Sequence, residues 1–152
     1  MVRRKVMVAA VFVLASVVLF AAGGCSFAAN DAADIGRAVL EWALTGSEAP
    51  GRDLDGAPKP PGSRRIFYRE SGEGKARVYS VAYLCEGRSV DGVRFMKEGM
   101  KKRGWRLVSE ERDPPVLLFD KKSNASSPIA QVFFRSSGSG RSVIYVVIQG
   151  GF

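Results

Sequence analysis

Residues 143–148, Val-Ile-Tyr-Val-Val-Ile, are apolar at every position. Successive side chains of a strand point to opposite faces, so this run is apolar on both. A sheet that leaves one face in water alternates apolar with polar residues instead. The chain must therefore build a sheet whose two faces both need cover. Phe133 and Phe134 impose the same demand, since neighbours on one strand point opposite ways.

The rest of the pattern supplies the other strands and their cover. Residues 65–69, 76–85, 105–111, 116–121, 129–135 and 142–149 read as strands. Residues 71–74, Asp113-Pro114-Pro115, residues 123–128 and residues 136–140 break them. Breaks this short imply antiparallel hairpins. In the second strand Tyr79, Val81, Tyr83 and Cys85 share one face, with Val78, Ala82 and Leu84 on the other.

A helix is predicted over 90–103. Ser89 is its N-cap, Asp91 suits its first turn, and Gly104 provides the left-handed residue after its end. Lys101, Lys102 and Arg103 complement the negative end of its dipole. Val90, Val93, Met96 and Met100 form its apolar stripe, with Phe95 on the flank.

A second helix is predicted over 30–44, capped by Asn30 or Asp31, with Asp34 in its first turn and Gly46 as its stop. Ile35, Ala38, Val39 and Trp42 fall near one face. Residues 47–63, with Pro50, Pro58, Pro60, Pro61 and three glycines, read as a spacer. The expected class is α+β: a single, mostly antiparallel sheet with a helix packed on one face and a short N-terminal helix. That N-terminal helix is the nearest cover for the second face. A partner protein, a hydrophobic ligand and partial exposure are the alternatives.

The N-terminal segment has a different character. Arg3, Arg4 and Lys5 precede an apolar run over 6–22 with Ser16 as its one polar residue, and Ala22-Gly23-Gly24-Cys25 follows. This order of basic, apolar and small residues is that of a secretory signal. The Cys placed directly after small residues resembles the lipobox of bacterial lipoproteins, although Ala22 stands where that family usually has Leu. The resemblance implies lipidation, including palmitate, at Cys25, with signal cleavage between Gly24 and Cys25. Ser26, where an Asp would signal inner-membrane retention in those lipoproteins, implies the periplasmic face of an outer membrane if the organism has one.

The domain reading is then a signal peptide over 1–24, a lipidated N-terminus with helix and linker over 25–63, and an α+β domain over 64–152. Two rival readings remain open. One is an uncleaved transmembrane helix, for which 6–22 is at the short end of a span. The other is an ordinary signal cut near Ala28-Ala29.

Charge and cysteine content narrow the chemistry. The formal charge is +8. Loss of Arg3, Arg4 and Lys5 with the signal leaves +5, a mild basic excess that suits anionic surfaces without selecting one. There is no histidine, which removes the commonest general base and metal ligand. With Cys25 acylated, Cys85 has no partner in the chain.

No metal, cofactor or catalytic constellation is visible. Glu110, Glu111 and Asp113 read as a solvated turn, and Cys85 as a structural thiol despite nearby Arg88. Residues 137–141 read as a hairpin turn, since a phosphate loop would lead into a helix. The run Lys101-Lys102-Arg103 beside Trp105 is accounted for by the helix end and a core tryptophan, and export argues against nucleic acid.

From Ser89 to Lys121 the chain also resembles uncharacterised bacterial lipoproteins, in which a helix ends in Gly-Trp and a later strand carries an aliphatic–aromatic pair followed by Lys. The matching residues are Phe95-Met96, Met100, Gly104-Trp105, Leu118-Phe119 and Lys121, with Pro61-Gly62-Ser63 before them. The resemblance implies the fold and an envelope location, and carries no functional residue. The expectation is a lipid-anchored, non-enzymatic cell-envelope protein that binds a partner or supports an assembly, held to the membrane by its lipid. The alternative is a small carrier or chaperone for a hydrophobic ligand.

Overall fold

A computed structural model describes residues 26–122, 127–136 and 140–150, the side chains of 26–32 excepted. Cys25 and Gly24 lie outside the described residues. The fold is α+β. Helix α1 (Ser26–Thr45) leads into an irregular segment and then into β1 (Arg64–Ser71) and β2 (Val78–Glu86). Helix α2 (Ser89–Lys102) follows, then β3 (Arg106–Arg112), β4 (Pro115–Asp120), β5 (Ile129–Ser136) and β6 (Arg141–Gln149).

Every neighbouring pair in the sheet is antiparallel, and the order is β1-β2-β6-β5-β4-β3. The hairpins expected from the short breaks are present. The pairing of β2 with β6, which sets Val81 opposite Val146, joins the two halves of the chain and puts β6 in the interior of the sheet.

The sheet has a core on each side, as the apolar run of β6 demands. On the first face Tyr79, Val81, Tyr83 and Cys85 of β2 join Ile144, Val146 and Ile148 of β6 beneath α2, which contributes Met96 and Met100. On the second face Ala82, Leu84, Val143 and Tyr145 meet Ile35 of α1, with Ala38, Val39 and Trp42 packed at the margin. The N-terminal helix is thus the cover that the sequence pattern requires. A bulge between Arg65 and Phe67 turns both Ile66 and Phe67 toward α1.

Helix α1 runs antiparallel to β1. Arg69 pairs with Asp34 near one end, and Arg64 Nη1 donates to the Gly46 carbonyl at the other, at 3.1 Å.

Helix α2 differs in detail from expectation. Its N-cap is Arg88, in extended conformation and without a side-chain cap; Ser89 is the first helical residue. Val90 is 56% exposed and leaves the apolar stripe. Its place is taken by glycines. A Cβ on Gly92 would lie 2.8 Å from Ile144 Cδ1, and one on Gly99 would lie 2.6 Å from Pro58 Cγ. The helix therefore lies closer to its neighbours than side chains would allow.

Its C-terminus closes as the sequence suggests. Gly104 has φ +82°, its N–H donates to the Lys101 carbonyl at 3.0 Å, and the Trp105 N–H donates to the Met100 carbonyl at 3.1 Å. That pair of bonds is a Schellman motif.

Residues 47–63 are irregular, as their prolines and glycines require, but they are not a free spacer. Leu54 and Ala57 are each 7% exposed and belong to the first-face core. The Trp105 indole N–H donates to the Gly56 carbonyl at 2.7 Å. The segment is a strap across the sheet. Its few apolar residues lack periodicity, so no local pattern announced its burial.

Candidate functional site

Three places concentrate chemistry. The first is a cluster around Asp53 on the strap. Arg65 Nη1 donates to Asp53 Oδ1 at 2.9 Å, the Tyr83 hydroxyl donates to the same oxygen at 3.1 Å, and Lys59 Nζ lies 3.3 Å from Oδ2. Lys59 also reaches Glu48 at 3.6 Å. Burial pushes the Asp53 carboxyl up, but hydrogen bonds from Tyr83 and Lys59 and the charges of Lys59 and Arg65 outweigh it and hold it below the usual carboxylate range.

Burial, with the charge and hydrogen bond of Asp53 behind it, pushes the Tyr83 phenol well up, so it remains a protonated donor. Every polar group here is directed at another group of the cluster. It ties residues 48–59 to β1 and β2, with the Asp53 carboxylate ionised and the Tyr83 phenol protonated at neutral pH.

The second place is a cleft of about 400 Å³ at the start of α2, where Arg88, Ser89 and Val90 face Ser136 and Arg141. A helix N-terminus and two arginines suit an anion in principle. Arg141 is already engaged, its guanidinium 5.2 Å above the Trp42 ring. The walls are largely exposed, and the cleft is assigned no ligand.

The third place is the part of the second face beyond α1. Cover extends over β1, β2 and the near side of β6. Further out, Val116 and Leu118 of β4 and Phe133 of β5 are half-buried, and Ile129 is 46% exposed. Phe133 stacks on Tyr145 with ring centroids 5.8 Å apart, which carries the apolar surface from the α1 margin out to β4.

Beyond it, the edge strand β3 is exposed along its whole length. Arg106, Glu110, Glu111 and Arg112, together with a bulge between Leu107 and Ser109, guard that edge against pairing with another strand.

The residues singled out in the sequence are dispersed. Cys85 is buried, unpaired, and its thiol is pushed up to about 11 by burial alone. That makes it a structural thiol. Glu110 and Glu111 lie on β3 rather than in a turn, and Lys97 pairs with Glu110 at 2.7 Å. Trp105 opens toward the core at 3% exposure, with the Lys121 ammonium 5.8 Å over its ring.

The layer between sheet and α2 is filled by Met96, Met100, Phe119 and Phe134, all essentially inaccessible. Sequence reasoning missed the Asp53 cluster, because Asp53, Lys59, Arg65 and Tyr83 come together only through the fold of the strap. Among the described residues, no group of histidine, cysteine, aspartate and glutamate has the arrangement of a metal site, and no helix is long and apolar enough to cross a membrane. No family model, no curated protein and no solved structure matches the chain.

Proposed function

We propose that this is a lipid-anchored cell-envelope protein, acylated at Cys25, whose domain serves as a non-enzymatic binding or assembly module. The reading rests on one conjunction. The segment ending in Ala22-Gly23-Gly24-Cys25 runs directly into α1, and α1 is part of the second-face core through Ile35. An anchor at Cys25 is therefore joined to the folded body by continuous helix instead of a flexible tail. Two or three acyl chains hold a protein stably at a membrane, each buried methylene contributing about 0.8 kcal/mol. Envelope location, a membrane contact through lipid and a protein partner follow from this reading. The open β4–β5 surface around Leu118 and Phe133 is where such a partner, presenting an apolar surface of its own, would sit.

Two measurements test it. Intact-mass analysis of the membrane-extracted protein should find a diacylglycerol-modified Cys25 as the new N-terminus, and Cys25→Ala should abolish the modification. An unmodified Cys25 in a full-length, membrane-retained chain would favour the transmembrane alternative and sink the lipoprotein reading. A photo-crosslinker at Leu118 should capture one envelope protein reproducibly, while the same group at exposed Arg112 should not.

A further inference from the structure

We propose that the end of the sheet from which α1 starts is a surface that lies against an anionic phospholipid bilayer. The inference rests on the anchor reading for how the protein reaches the membrane, and on the charge distribution for what happens there.

Strand register defines this end. Ser71 faces Val78, Val78 faces Gln149, Gln149 faces Ile129, Ile129 faces Asp120, and Asp120 faces Arg106. Helix α2 descends to the same end, because it finishes at Lys102 just before β3 begins at Arg106. Helix α1 begins there too, since Asp34 meets Arg69 near the close of β1 while Gly46 meets Arg64 at its start.

The basic excess gathers at this end from stretches far apart in sequence. Lys75 and Arg77 come from the β1–β2 connection, Lys101, Lys102 and Arg103 from the last turn of α2 and its cap, and Lys121 and Lys122 from beyond β4. Acids neutralise only part of it: Asp34 holds Arg69, Glu70 holds Arg77 at 3.5 Å, Asp120 holds Arg106, and Glu73 adds one more negative charge in the β1–β2 connection. Lys75, Lys101 and Lys102 are exposed and form no ion pair with a described residue. At the opposite end Arg64, Arg88, Arg112, Arg135 and Arg141 are largely offset by Glu86, Asp91, Glu111 and Asp113, and Arg65 is held by Asp53. The molecule is thus polar in charge along its strands.

Chain geometry supplies the occupant. Helix α1 is continuous from Ser26, so residues 1–25, with the apolar run and Cys25, join the body at the basic end. A helix rises about 1.5 Å per residue, which puts the Asp34–Arg69 pair roughly 12 Å along α1 from Ser26. Surface potential from anionic lipid acts within about one Debye length, roughly 8 Å at physiological salt. An anchor at Cys25 therefore keeps this end of the sheet within about two Debye lengths of the head groups, and each cation that closes the remaining gap contributes roughly fivefold to association.

The test uses the full chain, extracted with its anchor and reconstituted into vesicles of phosphatidylcholine or of an equimolar mixture with phosphatidylglycerol. A fluorophore is placed on Lys102→Cys or, separately, on Arg112→Cys; buried Cys85 does not compete for the label. Energy transfer to a head-group acceptor should rise at the Lys102 position when anionic lipid is introduced, by about twofold or more, and stay flat at Arg112. The rise should vanish in molar salt and in the Lys75→Gln/Lys101→Gln/Lys122→Gln variant. Equal transfer at both positions, or transfer indifferent to lipid charge and salt, overturns the proposal. So does a lysine-dependent affinity for an acidic polypeptide with none for the vesicles, which would assign the surface to an acidic protein. Lipid on Cys25 without the charge effect would defeat this inference alone. The charge effect without lipid on Cys25 would defeat the lipoprotein reading alone.

Discussion

Cys85 and Asp53 show how burial decides what a polar residue can do here. A thiol pushed up to about 11 from its ordinary 9.0 holds about a hundredfold less thiolate at neutral pH, and the thiolate is the nucleophile. Alkylation of native protein by iodoacetamide at pH 8 should accordingly run at least about a hundredfold slower than that of urea-unfolded protein. Comparable rates would show that Cys85 is reachable and that its thiol is not pushed up. Asp53 moves the other way. Its carboxyl is held below its ordinary value in the folded state, so its contribution is complete above about pH 4 and lost as pH falls through the lowered folded value. With its side chain 42% exposed, that contribution is well under about 1 kcal/mol after solvent screening. The consequence is local: acidification below about pH 4 should loosen the strap before the sheet. Hydrogen exchange at Ala57, whose N–H donates to the Leu54 carbonyl, should rise ahead of exchange at Val81. Simultaneous loss at both would contradict this. Cys85 was legible in sequence as a structural residue from its place in an alternating strand. Asp53 was not, because its partners lie on other elements.

Most elements were readable from periodicity and breaks, down to the Gly-Trp close of α2, because those signals are local. The departures sit where tertiary packing overrides local pattern. In α2, Val90 fits the apolar spacing yet points outward, while Gly92 and Gly99 supply the contact by their smallness. Alanine is favoured over glycine in a helix by about 1 kcal/mol. At Gly99, however, the new methyl group would meet the ring of buried Pro58 at 2.6 and 2.8 Å. Gly99→Ala should therefore destabilise the protein by about 1–3 kcal/mol in urea unfolding, through displacement of the strap. Gly92→Ala meets the flexible tip of Ile144 and should cost less. Edge strand β3 obeys another rule, since what it displays is protection. Replacing Glu110 and Glu111 by Val removes two of its four charges and lengthens its apolar run. That variant should form concentration-dependent oligomers visible by light scattering, whereas the native chain's edge should not self-associate.

At the scale of the whole molecule, the least legible features are those that join distant stretches: the β2–β6 pairing, the strap, and the basic end assembled from the β1–β2 connection, α2 and the end of β4. Local sequence carries no mark of any of them, because each depends on where the chain returns. The β2–β6 pairing has the widest reach. With β6 lying between β2 and β5, neither the β1–β2 hairpin nor the β3–β5 meander has a complete neighbour until residues 141–149 are in place. Two- and three-stranded fragments of this kind are marginal alone. A chain truncated before Arg141 should be digested by protease across its length at a concentration that leaves the intact protein whole. Survival of a β1–β2 fragment would disprove this. During synthesis, when the amino-terminal end emerges first, the sheet cannot close early. The polypeptide stays threadable, able to pass through a narrow membrane channel, until its last strand arrives and locks the two halves together.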